Sequence, residues 1–292
     1  MRKQFATTVQ EILGQDPQSA LFLGDIGVYG FKDALQKYPT RAFNIGILEQ
    51  ATMGVAAGYA LRGYHPIIHT IAPFLVERAL EQIKIDFGYQ KLNGNLVTIG
   101  ASYDYTALGC THHCPGDVQI ITSIPNSNVI IPGSANELDT LFRSKYTEGL
   151  NYFRLTDNPH SENINVTFGK NLIVKKGNSA VVVAVGPTLS NVLEAVSDLD
   201  VTVVYCTTVQ PFDSQTLFEL EESKKIITVE PYYTGVLASK IMLDSNGGKI
   251  SLSAIGVSHN FHTKYGTYND HLVQDGLDPI GIRKIVLEMI KK

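Results

Sequence analysis

One carboxylate in this chain stands where carboxylates are uncommon. Glu49 follows an apolar, glycine-containing approach, Phe43-Asn44-Ile45-Gly46-Ile47-Leu48, and opens a helical pattern whose next turns carry Ala51, Gly54, Ala57, Gly58 and Ala60. An acidic residue in a first helical turn can serve only the exposed N–H groups and the macrodipole. The other chemistry-bearing stretch is ASYDYTALGCTHHCPGD, long for an ordinary connection and therefore a candidate functional segment. It offers imidazoles at His112 and His113, which titrate near physiological pH, and a run of polar side chains at Tyr103, Asp104 and Tyr105. Cys110, His112, His113 and Cys114 crowd together as zinc ligands can, but zinc sites pair two such knuckles at a distance and Cys206 is the remaining cysteine. No metal site is expected there.

These groups must be held by something. The chain alternates short β-branched or apolar runs with helical patterns, the signature of parallel βαβ units with helices on both faces of a sheet. Strands are expected at 19–25, 65–70, 95–100, 128–132 and 151–156, and helices from Glu49, over 73–89 with Leu75, Ala79, Ile83 and Phe87 on one side, and over 136–149. Ligands on such sheets gather at the carboxyl ends of strands. Asp25, the approach to Glu49, the segment after Thr70 and the Cys110–Pro115 loop would meet at that edge. A polar stretch over 157–179 breaks the periodicity, so two domains are expected, 1–160 and 175–292. The second repeats the βαβ theme, with strands at 179–186, 201–206, 225–230 and 250–257, helices over 187–199, 212–222 and 235–244, and a basic C-terminal helix.

Composition bounds the function. The 292 residues, 44% hydrophobic, with mean hydropathy near zero, describe a globular chain with a sizeable core and no need for a membrane span. The opening MRKQFATTVQEIL reads as an amphipathic helix, not a signal peptide, and three cysteines fit a reducing cytoplasm. A formal charge of −4 gives no basic footprint for nucleic acid.

The ordered runs FNIGILEQ, GVAAGYALRGYHPIIHT, FLVERALEQIKID, GCTHH and SIPNSNVIIPGSANEL resemble the pyrimidine-binding domain of transketolase and 1-deoxyxylulose-5-phosphate synthase. VVVAVGPTLSNVLEA and KKIITVEPYYTGVLASKI resemble the C-terminal domain of the same family. The resemblance implies an α/β fold of two doubly wound domains, a thiamine diphosphate-binding (pyrimidine) fold followed by a transketolase C-terminal-like domain. It implies that Glu49 hydrogen-bonds the aminopyrimidine of thiamine diphosphate, that Phe74 stacks on that ring, that Asp25 and Ile47 lie against the cofactor, and that His112 faces the reacting carbon. A carboxyl desolvated at a domain interface can hold and share a proton near neutral pH. By the same resemblance His113 is a second substrate contact and Arg154 clamps a substrate phosphate or carboxylate.

Departures from the family pattern are informative. Leu108 stands where the family has an aspartate, Ile71 where a second aromatic is common, and Gly100 or Ala101 and Asp157 where basic residues bind phosphate. Asp104, in the loop that lacks the aspartate, is a candidate replacement contact. The family's Gly-Asp-Gly and downstream Asn, which hold Mg2+ and the diphosphate, have no counterpart, since Gly24-Asp25-Ile26-Gly27 belongs to the pyrimidine domain. The resemblance therefore implies a partner: an N-terminal, diphosphate-binding subunit, in an α2β2 assembly acting on a small sugar in the cytoplasm. Alternatives are a deoxyxylulose-phosphate-synthase-like reaction, the beta chain of a 2-oxo acid dehydrogenase, and a non-catalytic regulatory subunit.

Overall fold

The computed structural model describes residues 1–220 and 224–291. The strands are β1 (Ser19–Leu23), β2 (Ala42–Asn44), β3 (His65–Ile71), β4 (Gly94–Ile99), β5 (Ser127–Ile130), β6 (Leu150–Arg154), β7 (Leu172–Lys175), β8 (Val181–Val185), β9 (Thr202–Cys206), β10 (Thr208–Gln210), β11 (Lys225–Tyr233) and β12 (Ser251–Val257). The helices are α1 (Arg2–Gln15), α2 (Lys32–Lys37), α3 (Glu49–Leu61), α4 (Leu80–Gln82), α5 (Asp117–Thr122), α6 (Ala135–Lys145), α7 (Leu189–Ala195), α8 (Ser214–Phe218), α9 (Val236–Asp244), α10 (Tyr268–Asp275) and α11 (Pro279–Lys291). Glu221 and Glu222, in the helix expected over 212–222, and Lys292, at the end of the C-terminal helix, lie outside the described residues.

Every residue of β1, β4, β6, β8 and β9 is buried. Strands covered on both faces need no alternation, which is why they read as continuous apolar runs. They build two sheets: a seven-stranded one in the order β10-β5-β6-β4-β3-β1-β2 and a five-stranded one in the order β12-β11-β8-β9-β7. Pairing is parallel except for β10 on β5 and β7 on β9. In the first sheet, Phe5 and Val9 of α1 and Leu138, Leu141 and Phe142 of α6 cover one face. Met53 and Ala56 of α3, with Val118 and Ile121 of α5, cover the other. The second sheet is likewise layered, by α7 and α11 on one side and α8 and α9 on the other. Both domains are thus doubly wound α/β.

Register across the first sheet is pinned by buried amides. Asn151 Nδ2 donates to Asn95 Oδ1 at 3.0 Å and Asn128 Nδ2 to Asn151 Oδ1 at 2.8 Å, joining β4, β6 and β5. A one-residue slip would strand these groups in a dry interior.

Several elements differ from expectation, among them β2 and β7, the latter a strand inside the polar stretch expected as the domain junction. The segment expected as one helix over 73–89 winds as π turns at Pro73–Glu77 and Ile83–Tyr89 around the short α4. Its apolar residues Leu75, Ala79, Ile83 and Phe87 are nonetheless all buried. They recur every four residues, a longer repeat than 3.6, and wider turns keep them on one side. β10, from beyond the polar stretch, crosses to pair with β5 at the edge of the first sheet.

Candidate active site

Three segments leave the carboxyl edge of the first sheet and converge. After β2 the chain turns at Gly46, whose φ of +86° a side chain would resist, and enters α3 with Glu49 as its first residue. Asn44 braces that turn: its Oδ1 accepts from the backbone N–H groups of Asp25 (2.9 Å) and Gly46 (3.2 Å), and its Nδ2 donates to Asp25 Oδ1 (3.2 Å). After β3 the first π turn presents Phe74 and leads into Arg78. Beyond β4 the chain reverses at Gly100 (φ +85°), where a Cβ would fall 2.6 Å from the Tyr105 ring, and begins the histidine loop.

The convergence produces a connected cluster. Glu49 is only 2% exposed, and its Oε2 accepts from Arg78 Nη1 at 2.7 Å. The same guanidinium lies 4.4 Å from the centroid of the Phe74 ring, a cation–π contact. Phe74 meets the His112 imidazole edge-on at 5.2 Å, and His112 Nδ1 is 2.9 Å from the Thr111 hydroxyl. Glu49 Oε1, by contrast, is buried and has no hydrogen-bond partner among the described residues. Such an orphan is costly unless something donates to it. A planar ring with an N–H or protonated ring nitrogen would do so while lying near Phe74, so these residues fit the aminopyrimidine end of thiamine diphosphate.

The loop carrying His112 is anchored from below. Arg154, expected as an open clamp or a strand-end surface group, has a side chain only 1% exposed and pairs with the fully buried Asp117, Nε to Oδ2 at 2.7 Å. Its Nη2 donates to Ser102 Oγ (2.7 Å) and to the Cys114 carbonyl (3.4 Å), gripping the loop at both ends. Tyr152 completes the pair by donating to Asp117 Oδ2 at 2.6 Å. A buried guanidinium must be matched this way, since an unpaired one would not tolerate the interior. Asp104 ties the loop to the segment after β6, accepting from Ala101 N, Thr156 Oγ1, Asp157 N and Asn158 Nδ2. Burial pushes its carboxyl up to about 6, against the pull of those donors.

His113 parts company with His112. It is buried among Tyr103, His262 and His271, with His271 5.6 Å away. Tyr103 donates to Asp275, the carboxylate that also faces His262 Nε2 at 3.6 Å. His113 Nε2, His262 Nδ1 and His271 Nε2 are all buried without a hydrogen-bond partner among the described residues. Burial first, then the neighbouring imidazoles, lowers His113 to about 4. Cys114 is buried while Cys110 is exposed, and among the described residues no group of three or more His, Cys, Asp and Glu could hold a metal ion.

Of the residues singled out from sequence, Glu49, Phe74 and His112 are brought together. Asp25 is exposed and joined to the Glu49 approach through Asn44, and Ile47 is 65% exposed. Arg154, Asp104 and His113 face their own chain. Arg78 was missed: five residues after Pro73, in a segment read as an amphipathic helix, it looks like any solvated arginine.

Residues 1–158 match the family model "Transketolase, pyrimidine binding domain" and residues 169–244 match "Transketolase, C-terminal domain". An uncharacterized 33.6 kDa protein in the fasciation locus of Rhodococcoides fascians is 39% identical over 94% of this chain and 89% of its own length. The B subunit of the apulose-4-phosphate transketolase of Actinobacillus succinogenes is 28% identical over 87% of this chain and 86% of its own. A solved structure described as a split gene transketolase, inactive beta4 tetramer, superposes with a TM-score of 0.87 at 25% identity, covering 99% of this chain and 97% of that one.

Proposed function

The chain belongs to the transketolase family, and from that premise we propose that it is the C-terminal, pyrimidine-binding subunit of a two-chain enzyme using thiamine diphosphate. The reaction is transfer of a two-carbon ketol unit from a ketose donor to an aldose acceptor. The observation that carries this reading is Glu49, with Oε2 fixed by Arg78 and Oε1 buried and unpartnered. The relatives named as apulose-4-phosphate transketolase subunits make a sugar phosphate the substrate class we favour.

Bound thiamine diphosphate supplies a carbon that stabilises an acyl carbanion equivalent. Glu49 holds or takes a proton at Oε1, at the ring nitrogen that the cofactor presents. Phe74 gives the planar heterocycle an apolar neighbour. Arg78 fixes the acid and the ring relative to one another, so their geometry does not have to be found at each turnover. His112, half-buried with Nδ1 against the Thr111 hydroxyl, donates to or takes a proton from a substrate oxygen. Arg154 and Asp117 hold the ends of the loop that carries His112 and do not touch the substrate.

The diphosphate and its Mg2+ fall to a separate N-terminal-type subunit. Ile47 and Leu48, just before Glu49, are 65% and 59% exposed, and Val55 and Leu61, further along α3, 45% and 61%; these apolar side chains suit such a partner and pairing of two copies in an α2β2 assembly in the cytoplasm. The relative described as an inactive tetramer of beta chains fits a half-site that needs completion. Calorimetric titration of thiamine diphosphate with magnesium tests this, using the chain alone and mixed with a candidate diphosphate-binding chain. Tight binding is expected in the mixture alone, and tight binding to the single chain would overturn the split site. In the assembled enzyme Glu49→Gln should cut turnover by about 100-fold or more. Release of carbon dioxide would point instead to a synthase-like reaction, and transfer to a lipoyl group to a 2-oxo acid dehydrogenase.

A further inference from the structure

A second cavity, of about 370 Å³, lies away from Glu49, where the second sheet meets the first domain. Its position follows from topology. From β8 the chain proceeds to β9 on one side, whereas β11 lies on the other side of β8. Connections leaving β8 and β11 therefore diverge, and a crevice opens at their carboxyl ends, the place where open α/β sheets bind ligands. Pro187 and Thr188 after β8, Pro231 in β11 and Val257 at the end of β12 line it. Thr188 Oγ1 spans the split beneath, within 3.0 Å of the Val185 carbonyl and 3.3 Å of that of Val229. Ser102 of the first domain and residues 158–161 of the polar stretch that follows β6 close the crevice into a pocket.

The lining is selective. No Lys, Arg, Asp or Glu among the described residues borders the cavity. His160 is already committed: its Nδ1 accepts from the Glu162 N–H at 3.1 Å, and its Nε2 lies 2.9 Å from the Tyr205 hydroxyl and 3.2 Å from Glu137 Oε1. An ionic ligand would find no counter-charge here. The Tyr268 hydroxyl, the Ser161 hydroxyl and the Asn269 amide line the space and make no hydrogen bond within the described chain. Asn191 uses one N–H, on the Leu277 carbonyl at 3.0 Å, and keeps its oxygen free. The apolar side chains of Val257, Leu272 and Leu277 line the same cavity, Leu272 on the helix that carries Tyr268 and Asn269. Neutral donors and acceptors interspersed with apolar side chains, in a volume within the small-molecule range, suit a molecule with both hydroxyls and C–H surface.

We propose that this crevice is a binding site, separate from the Glu49 centre, for a neutral polyhydroxylated molecule of sugar size. The site does not depend on the reaction assigned to Glu49. The test is a titration of the full chain, 13C-labelled at Val and Leu methyl groups, with D-ribose and adenosine as neutral probes and ribose 5-phosphate as a charged one. Saturable shifts are expected at Val257, Leu272 and Leu277 with the neutral probes, and at least fivefold weaker binding for ribose 5-phosphate. Ribose binding as well as adenosine identifies a free sugar, and a preference for adenosine identifies a nucleoside; either supports the site. Tyr268→Phe, which removes a hydroxyl and keeps the ring, should weaken binding roughly fivefold. Ser161→Trp, at an exposed position on the rim, should block it. Absence of saturable shifts, equal or tighter binding of ribose 5-phosphate, or affinities unchanged in both variants would overturn the proposal.

Discussion

Replacing Arg154 by Met separates two roles that the same residue could play. As a clamp on the substrate it would be dispensable for folding, whereas as the buried partner of Asp117 it is not. The pair has side-chain exposures of 1% and 0%, so solvent screens it little. Charge centres about 4 Å apart at an effective dielectric constant of about 20 attract by roughly 4 kcal/mol, and breaking a buried pair from one side costs about 3–5 kcal/mol. Asp117 would keep the Tyr152 hydroxyl and the Val118 N–H but lose its counter-charge. Arg154→Met should therefore lower stability by about 3–5 kcal/mol, or Tm by roughly 6–15 °C, read by urea titration and calorimetry. Loss of the grip on Ser102 and Cys114 should also reduce turnover. The double variant Arg154→Met/Asp117→Leu, with no stranded charge, should regain most of the stability. A melting point unchanged in Arg154→Met, with only KM for the sugar phosphate raised, would refute the anchor and restore the clamp.

Other expectations rest on separate features. Arg78→Met should weaken thiamine diphosphate binding by the assembled enzyme about tenfold by calorimetry, with partial recovery in Arg78→Lys, which keeps the charge but not the planar contact with Phe74; equal affinities in all three proteins would remove Arg78 from the site. His69 and His113 are both held down to about 4 by burial, so folding favours their neutral forms. Their contribution is complete above pH 6.5 and is lost as pH falls toward 4, amounting to about 3 kcal/mol for His69; a stability profile flat over that range would contradict this, and His113→Gln should make it shallower. Gly133→Ala would place a Cβ 2.3 Å from both His160 Nε2 and the Tyr205 hydroxyl. Unfolding titrations should show a loss of about 1–3 kcal/mol.

The parts of this structure visible in the sequence are those governed by local period and residue type. Buried parallel strands announce themselves as apolar runs, and Glu49, Phe74 and His112 stand in segments whose order resembles a known family. What escaped depends on partners distant in sequence. Nothing in NYFRLT says that Asp117, 37 residues earlier, will meet Arg154 in the interior and turn an apparent clamp into an anchor. Arg78 has Phe74 four residues before it, but the carboxylate that gives it a role, Glu49, lies 29 residues away. β10 is three residues long, too short to carry a period, and its place is set by the edge it covers.

That edge has a consequence for how the chain can be divided. A terminal strand of a sheet exposes unpaired N–H and C=O groups to any other extended chain, and β5 would be such a strand in residues 1–160 taken alone. In the whole chain β10 lies antiparallel on it, and Gln210 Nε2 reaches back to the Ser127 carbonyl at 2.9 Å. The C-terminal part thus acts as a built-in guard against intermolecular strand addition. Truncation before residue 208 should leave a fold that aggregates, even with every residue of the Glu49 cluster still present.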